Sequence, residues 1–161
     1  MKIIDYNLMT ELTRKAMEAP RKRAHYNLHQ SLDEPIHRLV MAVEPGSYIR
    51  PHRHLSGGKF EFFTIFRGRG STFIFTQDGT ISKRIDMAPG SDVAAIELTP
   101  ETWHSFVAWE TGTIVCEVKP GPYFPVPASD AAQWTPAEGE EKVDAILDWL
   151  SRAKVGDKFV D

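Results

Sequence analysis

The chain has little cysteine: Cys116 is the single one among 161 residues. An internal disulfide and a cysteine-based zinc site are therefore excluded. No stretch approaches the roughly 20 apolar residues that a membrane helix needs, and residues 1–20 lack the apolar core of a secretory signal. The formal net charge is −3, which gives the whole chain no pull toward nucleic acid. We expect a cytoplasmic protein that binds neither nucleic acid nor membrane.

The length fits one domain, and the character of the sequence changes twice along it. Apolar residues recur at helical spacing before Pro20, a proline-rich stretch begins at Pro120, and a second apolar helical stripe follows it. We therefore expect one domain over residues 1–161, with an N-terminal helix and loop at 1–37, a β-barrel core at 38–120, and a proline-rich strap with a C-terminal helix at 121–161.

The middle of the chain consists of short runs of β-branched and aromatic residues, separated by glycine, proline and Asp-Gly turns. Stretches such as "FEFFTIF" and "STFIF" are too short for helices and are typical of strands. This pattern predicts an all-β core, built as an antiparallel sandwich or barrel. Because "FEFFTIF" is apolar on both faces, its outer face needs a cover from the N-terminal segment, the final helix or a second subunit. We expect a homodimer through that face.

A histidine and glutamate cluster lies in "PHRHLSGGKFEFF". His52 and His54 point to the same face of an extended strand, and Glu61 follows shortly after them. Two imidazoles and a carboxylate suit a divalent ion such as Fe, Mn, Ni, Cu or Zn. His104, in "TPETWHSF", also stands at the start of an apolar run. We therefore predict one divalent metal ion held by His52, His54, Glu61 and His104; the alternative is a cluster of core histidines with a structural role.

These residues resemble the motifs of the cupin superfamily. The order Gly46, His52, His54, Glu61 and Gly68 is similar to the first cupin motif, and the stretch that ends at His104 resembles the second. Over most of residues 20–140 the chain also resembles WbuC-type cupin metalloproteins, in "RKRAHYNLH", "EPGSYIRPHRH", "CEVKPGPY" and "WTPAEG". The resemblance implies a double-stranded β-helix, or jelly-roll barrel, with a helix at each end. It further implies a setting in surface-polysaccharide (O-antigen) synthesis, without defining a reaction.

The chain departs from the motifs at two places. Six residues separate His54 from Glu61, more than the motif usually has. The extra length falls at the turn 56–58, and a strict count would put Lys59 in the place of the glutamate. The second motif has Glu101 near the position where a glycine is usual.

Five further residues are predicted to contact a ligand. Arg50 shares the strand phase of His52 and His54, and a guanidinium suits a carboxylate or phosphate. Tyr26 and Asn27 lie in the N-terminal loop that resembles the family, and Lys119 and Tyr123 lie where the last strand leaves the barrel. The remaining histidines, His25, His29 and His37, are expected at the surface rather than as metal ligands; the alternative for His29, which lies in the same loop as Tyr26 and Asn27, is that it covers the pocket. No residue is assigned a catalytic role from the sequence.

Two classes of function fit these observations. The first is a metalloenzyme that acts on a small polar or anionic molecule, such as a sugar derivative, by oxygenase, isomerase or lyase chemistry. The second is a non-catalytic module that binds a sugar or an acid through the metal. A metal-free isomerase that uses histidine as a base is a weaker third option.

Overall fold

The computed structural model describes residues 1–55 and 58–160, and this part of the chain contains eight β-strands and two α-helices. The helices are α1 (Tyr6–Glu18) and α2 (Val143–Arg152). The strands are β1 (Arg23–Asn27), β2 (Ile36–Val43), β3 (Glu61–Arg67), β4 (Gly70–Phe75), β5 (Ile81–Met87), β6 (Ala95–Leu98), β7 (Trp103–Ala108) and β8 (Thr113–Pro120).

The strands form two antiparallel sheets. One sheet has the order β1-β2-β8-β3-β6, and the other has the order β5-β4-β7. An apolar cluster joins them, since Phe63 and Ile65 of β3 and Val115 of β8 pack with Phe106 of β7 and Met87 of β5. The predicted antiparallel two-sheet architecture is confirmed, and so is the helix at each end.

Strand alternation decides which side chains enter the space between the sheets. In β3, Glu61, Phe63 and Ile65 are buried, while Phe62 and Thr64 between them are half-buried. The side-chain period of two places Glu61 on the same inner face as the two apolar residues. A carboxylate is therefore held at one end of an apolar core, where it needs partners of its own.

The outer faces of both sheets are covered by the chain's own helices. Leu12 and Ala16 of α1 pack against Val40, Ile114 and Cys116. Cys116 is a buried free thiol among apolar neighbours, as its strand phase predicts.

On the other sheet, Ile146 and Leu150 of α2 pack against Phe73, Phe75 and Val107. Phe66, on the outer face of β3, is nevertheless 40% exposed, so the homodimer through that face stays a prediction. Neither helix is of a length and apolarity that would let it cross a membrane, as judged over the residues that the structure describes.

The polar stretch after α1, interpreted from the sequence as a loop, contains strand β1. β1 pairs with β2 along its length, from Arg23 opposite Val43 to Asn27 opposite Leu39. It is the edge strand of the sheet, and its His25 is exposed. Because one side of this edge strand faces solvent, its residues do not alternate between apolar and polar, and its sequence resembles a loop. The loop prediction was therefore wrong for these residues.

The proline-rich strap crosses the outside of the three-stranded sheet. Trp134 packs with its ring centroid 5.0 Å from that of Phe75 and 6.2 Å from that of Trp103. The other two aromatic residues of the strap, Tyr123 and Phe124, are 49% and 65% exposed. Trp134 is therefore the aromatic residue that packs the strap against the core.

Two turn positions have left-handed backbone. Gly68, the last glycine of the first motif, has φ +75°, and a Cβ there would lie 2.7 Å from Cα of Thr113, so only glycine fits. Glu101 has φ +67° at the place where the second motif usually has glycine. The turn therefore has a left-handed backbone, which glycine adopts easily and in which Glu101 is strained.

Replacing Glu101 by glycine should relieve this strain. We expect Glu101→Gly to raise the free energy of unfolding by about 0.5–1 kcal/mol relative to Glu101→Ala, which removes the same exposed carboxylate but keeps a Cβ. Urea unfolding of the two variants measures the difference. An alanine variant as stable as the glycine variant would contradict strain at this turn.

Candidate metal centre

Backbone pairing places His52 next to His104. The segment that carries His52 is extended, and its N–H donates to the carbonyl of His104 at 3.0 Å while the N–H of His104 donates back at 2.9 Å. On its other side the segment pairs with the strap, since His52 lies opposite Ala131 and the N–H of Arg53 donates to the carbonyl of Asp130. The histidine segment is thus held between β7 and the strap.

Side chains reinforce the contact between the histidine segment and the strap. Nε of Arg50 donates to the carbonyl of Ala132 at 2.9 Å, and Nη2 donates to the carbonyl of Thr135 at 3.1 Å. The buried Asp130 accepts from the N–H of Leu55. These contacts make Arg50 a residue that fixes the strap, and ligand binding by Arg50 stays a prediction.

Four side chains converge on one point inside the barrel. One ligand atom from each of His52, His54, Glu61 and His104 lies within 4.8 Å of the others. Nε2 of His104 is 2.8 Å from Oε2 of Glu61, and Nε2 of His54 is 3.1 Å from Oε1. Although these atoms are close, both nitrogens and Oε2 are buried and have no hydrogen-bond partner among the described residues. Ligand atoms that lie close together without hydrogen bonds between them are suited to binding a shared cation.

Backbone carbonyls set the tautomer of two of the imidazoles. Nδ1 of His52 lies 3.0 Å from the carbonyl of Arg50, and Nδ1 of His104 lies 2.8 Å from the carbonyl of Thr102. A neutral ring donates its N–H to such a carbonyl and leaves the Nε2 lone pair free. Metal-bound histidines commonly have this outer contact, which orients the ring and makes it more basic.

Burial favours the protonation states that a cation requires. Burial, together with the neighbouring His104, lowers the pKa of His52 to about 3, so the ring is neutral near pH 7. Burial alone would raise the pKa of Glu61, but contacts with His104, His54 and Lys119 bring this pKa well below its usual range. His52 therefore presents a neutral nitrogen and Glu61 an ionised carboxylate, the states in which each can bind a divalent ion.

Lys119 connects Glu61 to a second buried carboxylate. Its Nζ donates to Oε1 of Glu61 at 2.9 Å and lies 2.6 Å from Oε1 of Glu117. Burial lowers the pKa of Lys119, but the two carboxylates outweigh it and raise the pKa above its usual value. The ammonium therefore shares Oε1 of Glu61 with the nearby Nε2 of His54, whereas Oε2 faces Nε2 of His104.

A cavity of about 480 Å³ opens beside this lysine. We call it the histidine cavity, because its polar wall includes three histidines; the polar residues that line it are His25, Asn27, His29, His37, Glu117, Lys119 and Tyr123. Asn27, Lys119 and Tyr123 were predicted from the sequence to contact a ligand, and the structure brings them together here. Tyr26 is not part of this wall; its ring lies 5.7 Å from Nζ of Lys2.

The surface location expected for His29 and His37 was wrong. Their exposed fractions are 5% and 2%, and their rings stack with centroids 4.1 Å apart. Backbone hydrogen bonds to both rings compensate for burial. The sequence signal was weak but present, since His37 alternates in phase with Leu39 and Met41 on β2.

The structure also settles which residue near the first motif faces the histidines. Glu61 lies in the cluster, whereas Nζ of Lys59 donates to the carbonyl of Pro122. The turn at 56–58 was expected to absorb the extra length of the motif, but Ser56 and Gly57 lie outside the described residues.

The fold is similar to that of solved structures that include a cupin-2 domain. Rru_A2000 from Rhodospirillum rubrum, a cupin-2 domain, is 18% identical, with a TM-score of 0.52 over 83% of this chain and 84% of that one. TT1209 from Thermus thermophilus is 20% identical, with a TM-score of 0.51 over 76% and 98% of the two chains. KdgF from Halomonas sp. is 16% identical, with a TM-score of 0.50 over 63% and 82%. The chain has the cupin fold.

Residues 4–87 match the family described as Domain of unknown function (DUF6016). The match covers slightly more than half of the chain, so the protein belongs to this family. It includes His52, His54 and Glu61 but ends before His104. No curated protein sequence matches the chain. The narrower resemblance to WbuC-type proteins stays a prediction.

The two hydrogen bonds of Arg50 predict the effect of a conservative substitution. Arg50→Lys keeps the charge but cannot reach both strap carbonyls, so we expect the free energy of unfolding to fall by about 1–2 kcal/mol. Metal affinity, measured by chelator competition, should fall with it because the strap supports the histidine segment. Arg69→Lys, at an exposed arginine paired with Glu110, is the control. Unchanged stability and metal affinity in Arg50→Lys would show that the strap contact is dispensable.

Proposed function

We propose that the protein binds one divalent metal ion through His52, His54, Glu61 and His104, and that it acts with this ion on a small polar molecule held in the histidine cavity. The convergence of four side chains supports the proposal most strongly. Three of their ligand atoms are buried and have no hydrogen-bond partner among the residues that the structure describes, a state that costs free energy unless an ion binds them. Fe, Mn, Ni, Cu and Zn all suit three imidazoles and a carboxylate.

A bound ion would supply Lewis acidity, which polarises an oxygen atom of a substrate. The chain itself supplies the surroundings. Glu61 adds a fixed negative charge, and the apolar walls formed by Phe63 and Phe106 exclude water and strengthen charge interactions. Lys119, held between Glu61 and Glu117, stands at the border between the centre and the histidine cavity. A molecule in the cavity therefore lies next to a lysine ammonium that is bonded to Glu61.

The reaction type stays open among oxygenase, isomerase and lyase chemistry. A role in the synthesis of surface polysaccharide, with a sugar derivative as substrate, rests on the resemblance of the sequence to WbuC-type proteins. The polar wall of the histidine cavity is compatible with such a substrate. The alternative is a binding module that holds a sugar or an acid without converting it.

Metal dependence separates these possibilities. Purified protein, stripped with a chelator and reloaded in turn with each of the five ions, should take up one ion per chain. Glu61→Gln and His104→Asn should weaken uptake strongly, because each removes a ligand atom. Glu44→Gln, which changes a buried glutamate bonded instead to the N–H of Gly112, should keep full uptake. Elemental analysis and chelator competition measure the result.

Turnover is then tested with the loaded protein and sugar derivatives. Conversion that disappears on stripping and returns on reloading supports the enzyme. Saturable binding without conversion supports the binding module. Wild-type protein that cannot be loaded, or a Glu61→Gln variant that loads like the wild type, would refute the metal proposal.

A further inference from the structure

Two buried polar atoms in the wall of the histidine cavity have no hydrogen-bond partner within the described part of the chain. They are Nε2 of His29 and Oε1 of Glu117. The metal centre uses neither of them. Buried polar atoms in folded proteins nearly always have a partner, and an unpaired one needs an explanation. Since both line the same cavity of about 480 Å³, a molecule in the cavity is the natural partner.

Backbone contacts identify Nε2 of His29 as a donor. The N–H of Arg38 donates to Nδ1 of His29 at 3.1 Å. Nδ1 also lies 3.0 Å from the carbonyl of Arg38. The hydrogen of the Arg38 N–H points at Nδ1, and a second hydrogen on Nδ1 would clash with it, so Nδ1 is the acceptor. In a neutral ring the hydrogen is then on Nε2. His29 therefore directs an unsatisfied N–H at its surroundings.

Acceptors lie on the same wall. Oε1 of Glu117 forms an ion pair with Nζ of Lys119 at 2.6 Å, and its second lone pair remains an acceptor. His37 donates through Nε2 to the carbonyl of Leu32 at 3.0 Å, which leaves Nδ1 of this ring as an acceptor. Donor and acceptor positions are thus mixed within one cavity.

The charges of the wall do not favour an anion. Lys119 is the cation of this wall, and Glu61 and Glu117 already neutralise it. Leu32, Leu39 and Met41 complete the lining and provide an apolar surface. A ligand that suits this wall is uncharged, carries groups that both donate and accept, and has carbon–hydrogen surface for the apolar side.

We infer that the histidine cavity is a subsite for a neutral, hydroxyl-rich molecule such as a sugar or polyol, whose hydroxyls accept from Nε2 of His29 and donate to Oε1 of Glu117. A hydroxyl is a small group that can both donate and accept. The inference deepens the proposed function, because it names the substrate class of the same site. It also narrows the ligand expected from the sequence, a small polar or anionic molecule, to a polar and uncharged one.

The test uses zinc-loaded protein and two sets of probes. The neutral set is D-glucose, D-galactose, D-mannose and L-rhamnose, and the anionic set is D-glucuronate and D-glucose 6-phosphate. Binding is measured by calorimetry. We expect at least one neutral hexose to bind, and His29→Asn to weaken its affinity about tenfold. Asparagine keeps an oxygen that can accept from the N–H of Arg38 but removes Nε2. Asp33→Asn, an exposed change in the same loop, should bind like the wild type.

Monodeoxy derivatives of the best hexose give a second measurement that does not depend on a variant. One derivative should bind the wild type about tenfold more weakly than its parent, and should lose nothing further in His29→Asn. The inference is overturned if no neutral hexose binds, if only the anions bind, or if every deoxy derivative binds like its parent.

Metal content measured in the same samples keeps this test separate from the metal proposal. Hexose binding that depends on His29 in protein that cannot take up zinc would refute the proposed metal function and leave the subsite standing. Zinc uptake without hexose binding would refute the subsite and leave the proposed metal binding standing.

Discussion

The paired backbone hydrogen bonds between His52 and His104 are the constraint on which the centre depends. They join a segment outside the regular strands to β7 and bring the two imidazole centroids to 4.4 Å. The strap pairs with the other edge of the same segment, so the position of the histidines is set by main-chain bonds on both sides. The alternation of side chains along β3 then places Glu61 beside these histidines. A ligand set built in this way is rigid before any ion arrives, which is what tight and selective metal binding requires.

The site is costly to the fold. Three buried donor atoms of the centre and two atoms of the histidine cavity lack hydrogen-bond partners in the described residues, and each such atom destabilises a folded protein by about 1–3 kcal/mol. Lys119 limits the cost, because one ammonium lies between two carboxylates that would otherwise repel each other. The remaining cost marks the centre and the cavity as places where the structure is arranged for a ligand rather than for stability.

Much of the fold could be predicted from the sequence, because its signals are periodic. Both terminal helices, the antiparallel strands and the inward phase of Glu61, Phe63 and Ile65 follow from repeats of 3.6 and 2 residues. Strand β1 lacks such a repeat, since its residues lie at a partly solvated edge.

The surroundings of the centre were harder to predict, because they depend on contacts between distant parts of the chain. The strap carbonyls that bind Arg50 lie more than 80 positions away in the sequence, and the burial of His29 and His37 follows from how the loop before β2 folds over them. Strand parity alone assigned Arg50 to the ligand side. Pairing with the strap decides where its guanidinium lies, and no local pattern records that pairing.

Anomalous diffraction from crystals of zinc-loaded protein tests the central claim most directly. The account predicts one peak per chain, about 2.0–2.2 Å from Nε2 of His52, Nε2 of His104 and an oxygen of Glu61, with His54 completing the set. A peak at another place, or loaded protein in which Glu61 bonds to the imidazoles with no ion between them, would contradict it.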